Sequence, residues 1–173
     1  MLRNTVLVVT FLAAGCDVNT INVQEVNGAS YSNSCGMAIH PSPALLEAAR
    51  LDEAEEFQLL AQTVGYWADY WEYVHSFREI CASLRGVQVY FSDSTYLTRE
   101  DGSIVRGLYL VDNRTILIAT KQADDSPEIY RLLAEVYRHE VSHAIITAVS
   151  GYHPDRLNQE EMIETTIETM YPR

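Results

Sequence analysis

The chain has 173 residues, of which 47% are hydrophobic, and this is enough for the packed core of one domain of ordinary size. Its 24 acidic and 12 basic residues give a formal charge of -12. A field of this sign repels phosphate groups, so we exclude a nucleic acid as the partner. No apolar run reaches the roughly 18 to 20 residues of a membrane-spanning helix, which excludes a polytopic membrane protein.

Residues 1–15 have the layout of a secretory signal peptide. Arg3 supplies a positive charge, residues 5–14 (TVLVVTFLAA) are apolar but too short to span a bilayer, and Gly15 and Cys16 follow. The run LAAGC, which ends at Cys16, resembles the lipobox of bacterial lipoproteins, whose cysteine is lipidated and becomes the first mature residue. The alternative is a buried strand that begins the domain.

The lipobox resemblance implies a location. A lipid on Cys16 would anchor the protein to the bacterial cell envelope, either at the inner membrane facing the periplasm or at the cell surface. Lipidation of Cys16 leaves Cys35 and Cys81, which can pair in an oxidising compartment. We therefore expect a disulfide between these two cysteines, with two buried thiols as the alternative.

Between the signal and the carboxyl terminus, the sequence divides into a linker and a domain. Residues 16–43 are polar and end with Pro41 and Pro43, which predicts a tether, and residues 44–173 then form a single domain. Residues 44–85 carry apolar side chains at spacings of three and four, which predicts helix with a candidate break at Gly65. Its aromatic side chains are expected in the core, with a ligand site as the alternative; they are Trp67, Tyr70, Trp71, Tyr73 and Phe77.

The middle of the chain is rich in β-forming residues. Residues 87–91 (VQVYF) predict one strand, and residues 107–111 and 115–119 (TILIA) flank a turn and predict a hairpin. The predicted order is helices, strand, hairpin, helix, helix. This order indicates an α+β domain in which helices pack on a small sheet.

A long helix that begins after Ser126 and Pro127 and ends before Gly151 contains the motif HEVSH at residues 139–143. His139 and His143 lie one turn apart on one face, so their rings can converge on one metal ion. Glu140 stands beside them, where it can take a proton from a metal-bound water.

The three polar residues of this motif interrupt a stripe that otherwise faces the core. The apolar residues of the stripe are Ile129, Leu132, Leu133, Val136 and Ile146. Burial of two imidazoles and a carboxylate without partners costs several kcal/mol, and a bound Zn²⁺ removes this cost. The alternative is a pair of hydrogen-bonded core histidines with Glu140 on a wetted edge.

A catalytic zinc site needs a third protein ligand, and a second helix that begins at Asn158 can supply it. We prefer Glu160, because Glu161 occupies the capping-box position of that helix. Glu164, one turn after Glu160, is either the ligand itself or a carboxylate that orients a histidine. His153 and Asp155, in the loop between the two helices, are weaker alternatives.

These residues resemble the zincin metallopeptidases, and within them the gluzincins, in which a glutamate-bearing helix follows the HExxH helix. The closest likeness is to small phage and bacterial proteins with the pattern HExxHA, SG, EExxE, matched here at residues 139–144, 150–151 and 160–164. It covers residues 105–170. Metzincins are excluded because Ile146 and Val149 stand where that group has glycine and histidine.

The gluzincin resemblance implies a zincin-like fold, a Zn²⁺ cofactor and hydrolysis of a peptide or protein substrate. In such enzymes an edge strand beside the active-site helix holds the substrate extended, and residues 115–119 are the candidate. From their position just beyond the motif helix, Tyr152 or His153 is the candidate for stabilising the oxyanion. The short spacing between His143 and Glu160 leaves the third ligand open.

The sequence therefore predicts a zinc-dependent metallopeptidase anchored to the cell envelope. The main alternative is a catalytically inactive metal-binding lipoprotein that acts as an interaction module. The third hypothesis is a helical lipoprotein that binds no zinc.

Overall fold

The computed structural model describes residues 30–41, 53–71, 74–99, 102–120 and 128–150, together with Ile163. In these ranges the chain forms three helices and seven strands. The helices are α1 (Glu53–Tyr70), α2 (Phe77–Ser83) and α3 (Glu128–Ser150). The strands are β1 (Tyr31–Ser32), β2 (Ala38–His40), β3 (Gln88–Ser92), β4 (Leu97–Thr98), β5 (Ile104–Val105), β6 (Gly107–Leu110) and β7 (Thr115–Ala119). The predicted α+β class is confirmed.

Five strands form the main sheet, in the order β1-β2-β3-β7-β6. The three central strands β2, β3 and β7 are parallel, whereas β1 and β6 run antiparallel to their neighbours. The connection from β2 to β3 contains α1 and α2, as a parallel crossover requires. The short strands β4 and β5 form a separate antiparallel pair.

The main core lies between the helices and one face of this sheet. Trp67 of α1, Ile80 of α2 and Tyr137 of α3 are fully buried in it, and the Tyr137 ring stacks on Phe91 of β3 with centroids 6.3 Å apart. A smaller cluster on the opposite face contains Leu117 of β7. Strand β7 is thus buried on both faces, which explains why TILIA is apolar without alternation.

The predicted hairpin is confirmed, since β6 pairs with β7 in the register Leu110 with Thr115. The predicted break at Gly65 is wrong. Helix α1 continues through this residue and ends at Tyr70, because one glycine in a long amphipathic helix costs only about 1 kcal/mol.

The aromatic side chains of residues 44–85 were expected in the core, and this is confirmed for only some of them. Trp67 is fully buried, whereas Tyr70 is 47% and Phe77 45% exposed, because α1 ends at Tyr70 and Phe77 begins a new helix. Tyr73 lies outside the described residues.

Part of the predicted tether belongs to the folded domain. Residues 30–41 contain β1 and β2, and Met37 and Ile39 are buried in the main core. The spacing of two between these residues is the period of a strand with one buried face. The apolar run is too short to be recognised as a strand within a polar segment. The rest of the tether, the signal peptide and Cys16 lie outside the described residues.

The predicted disulfide is present and joins Cys35, in the turn between β1 and β2, to Cys81 of α2. It links the amino-terminal edge of the sheet to the helical layer. Among the residues that the model describes, no helix is both long and apolar enough to cross a bilayer.

Loss of the disulfide should destabilise the domain strongly. The bond closes a loop with a sequence separation of 46, for which chain entropy predicts a loss of about 4 kcal/mol in the free energy of unfolding. Urea unfolding of the purified protein with and without reductant measures this loss. The double variant Cys35→Ser/Cys81→Ser is the control and should not respond to reductant. Equal stability of the oxidised and reduced protein would contradict the expectation.

Candidate metal centre

Helix α3 has a buried face that packs against the sheet and α1, and the HEVSH motif lies at the border of that face. Val141 and Ala144 are fully buried, and Glu140 is 5% exposed. His139 and His143 are only partly buried. Glu140 is therefore held inside the domain, while both histidines keep part of their surface exposed.

The two histidine rings converge. Their Nε2 atoms are 3.1 Å apart, the ring centroids 4.8 Å apart, and the ring planes cross at 73°. Two nitrogens that ligate one tetrahedral zinc at 2.0 to 2.1 Å lie about 3.4 Å from each other. The pair thus fits one cation after a small adjustment. A hydrogen bond between two neutral imidazole rings has a similar length. The metal content of the protein therefore distinguishes a metal site from a hydrogen-bonded pair of histidines.

Glu140 lies against strand β6 at Gly107. A Cβ atom built on Gly107 would be 2.4 Å from Oε1 of Glu140 and 2.6 Å from its Cγ. The carboxylate therefore occupies the space that a side chain at position 107 would fill. In the described part of the sheet, β6 is an outer strand, so this contact places Glu140 beside the edge of the sheet.

The prediction that residues 115–119 form the edge strand that holds a substrate is wrong. TILIA is β7, which pairs with β3 on one side and β6 on the other, so its backbone groups are already used. It is an inner strand because the hairpin places β6 outside it. Strand β6 is the one next to Glu140.

On its other side, α3 is held by α1. The indole nitrogen of Trp67 donates a hydrogen bond of 2.8 Å to the hydroxyl of Ser142, and both residues are buried. Ser142 stands between Glu140 and His143 in the motif. This bond therefore fixes the motif relative to α1 without using any of its predicted ligands.

A second buried polar contact anchors α3 one turn before Glu140. The Tyr137 hydroxyl donates a hydrogen bond to Glu56 Oε1, which also accepts one of 2.9 Å from Asn33 Nδ2. The side-chain oxygen of Asn33 in turn accepts hydrogen bonds from the backbone N–H groups of Cys35 and Met37. This network joins α3, α1 and the β1-β2 turn, and its position inside the core gives it a structural role.

The structure brings the rings of His139 and His143 together and places Glu140 against Gly107, and it does not describe the other predicted site residues. Those outside the described ranges are Cys16, Tyr152, His153, Asp155, Glu160, Glu161 and Glu164. Within the described ranges, no three His, Cys, Asp or Glu residues form a group that could hold a metal ion. Ile163 is fully buried in the main core, so the chain that follows α3 returns to the domain.

Comparison of the chain with known protein families, characterised proteins and solved structures finds no match. The resemblance to zincins therefore rests on the residues quoted above. Sequence reasoning did not identify Gly107 or the bond between Trp67 and Ser142. Both are contacts between elements far apart in the chain, and no local pattern marks them.

Tyr137 gives the domain a specific sensitivity to alkali. Burial, and then the neighbouring Glu56 carboxylate, raises the pKa of Tyr137 well above its ordinary value of 10.0. The native state thus keeps the proton above pH 10 while the unfolded chain releases it, so stability falls as pH rises. The deprotonation of Tyr137 in the unfolded chain lowers the free energy of unfolding by up to about 1.4 kcal/mol per pH unit.

The slope of unfolding free energy between about pH 9 and 11, measured in urea, tests this expectation. Tyr137→Phe should show a smaller slope than the wild type, although loss of the hydroxyl lowers its stability at neutral pH. Tyr96→Phe is the control, because Tyr96 is 53% exposed and its removal should leave the slope unchanged. Identical slopes for wild type and Tyr137→Phe would refute the assignment.

Proposed function

We propose that this protein is a zinc-dependent metallopeptidase, in which His139 and His143 hold the ion and Glu140 is the general base. The observation that supports this most is the convergence of two Nε2 atoms to 3.1 Å in a motif whose glutamate, Glu140, is only 5% exposed. Two converging imidazole nitrogens and a buried glutamate in the same motif are the groups that metal-assisted hydrolysis needs.

Both histidines fit zinc through their Nε2 atoms, and when bound, zinc lowers the pKa of a water towards 7 and polarises the scissile carbonyl. Glu140 takes a proton from the attacking water and delivers it to the leaving amine. Its contact with β6 limits the positions that the carboxylate can adopt. Its placement is thus set before a substrate arrives, which favours proton transfer.

The third ligand is proposed to be Glu160, with Glu164 as the alternative and Glu161 less favoured. Ile163 lies between these glutamates in sequence and is buried in the core against which α3 packs. A chain that returns to the core at Ile163 supports a ligand from this segment.

The substrate is proposed to be a peptide or protein that binds in an extended conformation along β6. The backbone N–H of Ala119 donates to the carbonyl of Arg106, at 2.8 Å. Because bonded and non-bonded residues alternate in an antiparallel pair, Gly107 and Tyr109 direct their backbone groups away from β7. A peptide paired with this edge would pass beside Glu140.

The site of action is proposed to be the bacterial cell envelope, with a lipid on Cys16 as the anchor. The disulfide between Cys35 and Cys81 supports this, since such bonds persist in oxidising compartments outside the cytoplasm.

Replacement of the general base should separate binding from chemistry. Glu140→Gln keeps the size of the side chain but cannot accept the proton, so hydrolysis should fall by about 100-fold to 10,000-fold while zinc content stays the same. Cleavage of unfolded protein substrates by the purified full-length protein is the measurement. Asp69→Asn, the same change at an exposed residue of α1, is the control and should retain activity.

Equal activity of Glu140→Gln and wild type would refute the assigned mechanism. A wild type that binds zinc and cleaves neither proteins nor peptidoglycan peptides would favour the inactive metal-binding lipoprotein.

Metal content tests the ligands directly. His139→Ala and His143→Ala should each lower the zinc bound per chain, measured at neutral pH by elemental analysis, because a catalytic site has few ligands to spare. Of Glu160→Ala and Glu164→Ala, the variant that loses zinc to the same extent identifies the third ligand. Wild-type protein without zinc would contradict the metal site and favour the hydrogen-bonded pair.

A further inference from the structure

We propose that Gly107 is a positioning residue for Glu140, because a side chain at this point of β6 would displace the carboxylate. Its catalytic consequence rests on the proposed function, whereas the contact itself does not. Strand β6 therefore contributes to the site because Gly107 has no side chain and leaves room for the Glu140 carboxylate.

The distances show which group a side chain at 107 would meet. The three heavy atoms nearest to an ideal Cβ on Gly107 are Oε1, Cγ and Cδ of Glu140, at 2.4, 2.6 and 2.8 Å. An ordinary contact of a Cβ atom is 3.4 to 4 Å. All three atoms lie beyond Cβ of Glu140, so an alanine at 107 would collide with the part of Glu140 that carries the chemistry.

The Glu140 side chain is the part that would move. The backbone on both sides of Gly107 is held by the inner strand β7, because the Ala119 N–H donates to the Arg106 carbonyl at 2.8 Å and Leu108 lies opposite Leu117 as the next hydrogen-bonded pair. The backbone of α3 is held by the hydrogen bonds of Ser142 and Tyr137. The Glu140 side chain can rotate about its own bonds, but it is 5% exposed and has little free space. The methyl group would thus push the carboxylate out of place and leave both histidines where they are.

Backbone conformation does not explain a glycine at this position. Three described glycines have positive φ angles, namely Gly36, Gly86 and Gly102, and Gly107 is not among them. Its backbone is one that other residues adopt, so alanine would bring no backbone strain. Glycine is needed at position 107 because the Glu140 side chain occupies the space that a Cβ atom would fill.

The test is Gly107→Ala in the full-length protein. We expect kcat/KM for peptide hydrolysis to fall about 100-fold, mainly through kcat, because a general base displaced by about 1 Å acts poorly. Zinc content should equal that of wild type. Gly65→Ala is the matched control, since a Cβ at this glycine of α1 meets no atom within 4 Å, and it should keep full activity.

A double-mutant cycle tests the contact without activity or metal. With a chelator present, Gly107→Ala should lower the Tm by about 3 to 10 °C in the wild-type background. In the Glu140→Ala background, where all three colliding atoms are gone, the same change should cost little. Equal losses of Tm in both backgrounds would overturn the proposal.

The two measurements separate this inference from the proposed function. A wild type that hydrolyses peptides, together with a Gly107→Ala variant of equal activity, would overturn the positioning role and leave the peptidase standing. A wild type without hydrolysis that still shows coupling between positions 107 and 140 would overturn the peptidase and support the contact.

Discussion

The structure depends on how helix α3 is held between the main sheet and α1. A helix that carries two imidazoles and a carboxylate at one border of its buried face can rotate or slide unless its other contacts are specific. Polar bonds on the α1 side, from Trp67 and Glu56, and the close approach of β6 to Glu140 supply that specificity. Because the backbone is fixed, the separation of the two Nε2 atoms is set by rotamers alone.

The difference in burial among the motif residues is the one that the proposed mechanism requires. An ion needs access, and both histidines are only partly buried. A general base benefits from exclusion of bulk water, and Glu140 is almost fully buried. One turn of helix achieves both, because neighbouring residues point 100° apart and the buried face of α3 ends between them.

Local patterns in the sequence predicted the α+β class, the hairpin, the long motif helix and the pairing of Cys35 with Cys81. They did not predict that β1 and β2 belong to the sheet, since short strands such as Ala38–His40 depend on their neighbours for stability. Nor did they predict that β6 rather than β7 lies next to Glu140. The order of strands in a sheet is a property of the whole fold, whereas the spacing of two histidines is local.

With the proposed lipid on Cys16, the place of β1 in the sheet would also limit how far the domain stands from a membrane. A linker over residues 16–43 could span roughly 100 Å, but residues 30–41 contain two strands of the sheet, and residues 16–29 alone can span at most roughly 50 Å. For a protein acylated at Cys16, this halves the radius of action. A peptidase anchored in the proposed way would meet proteins that lie close to its own bilayer.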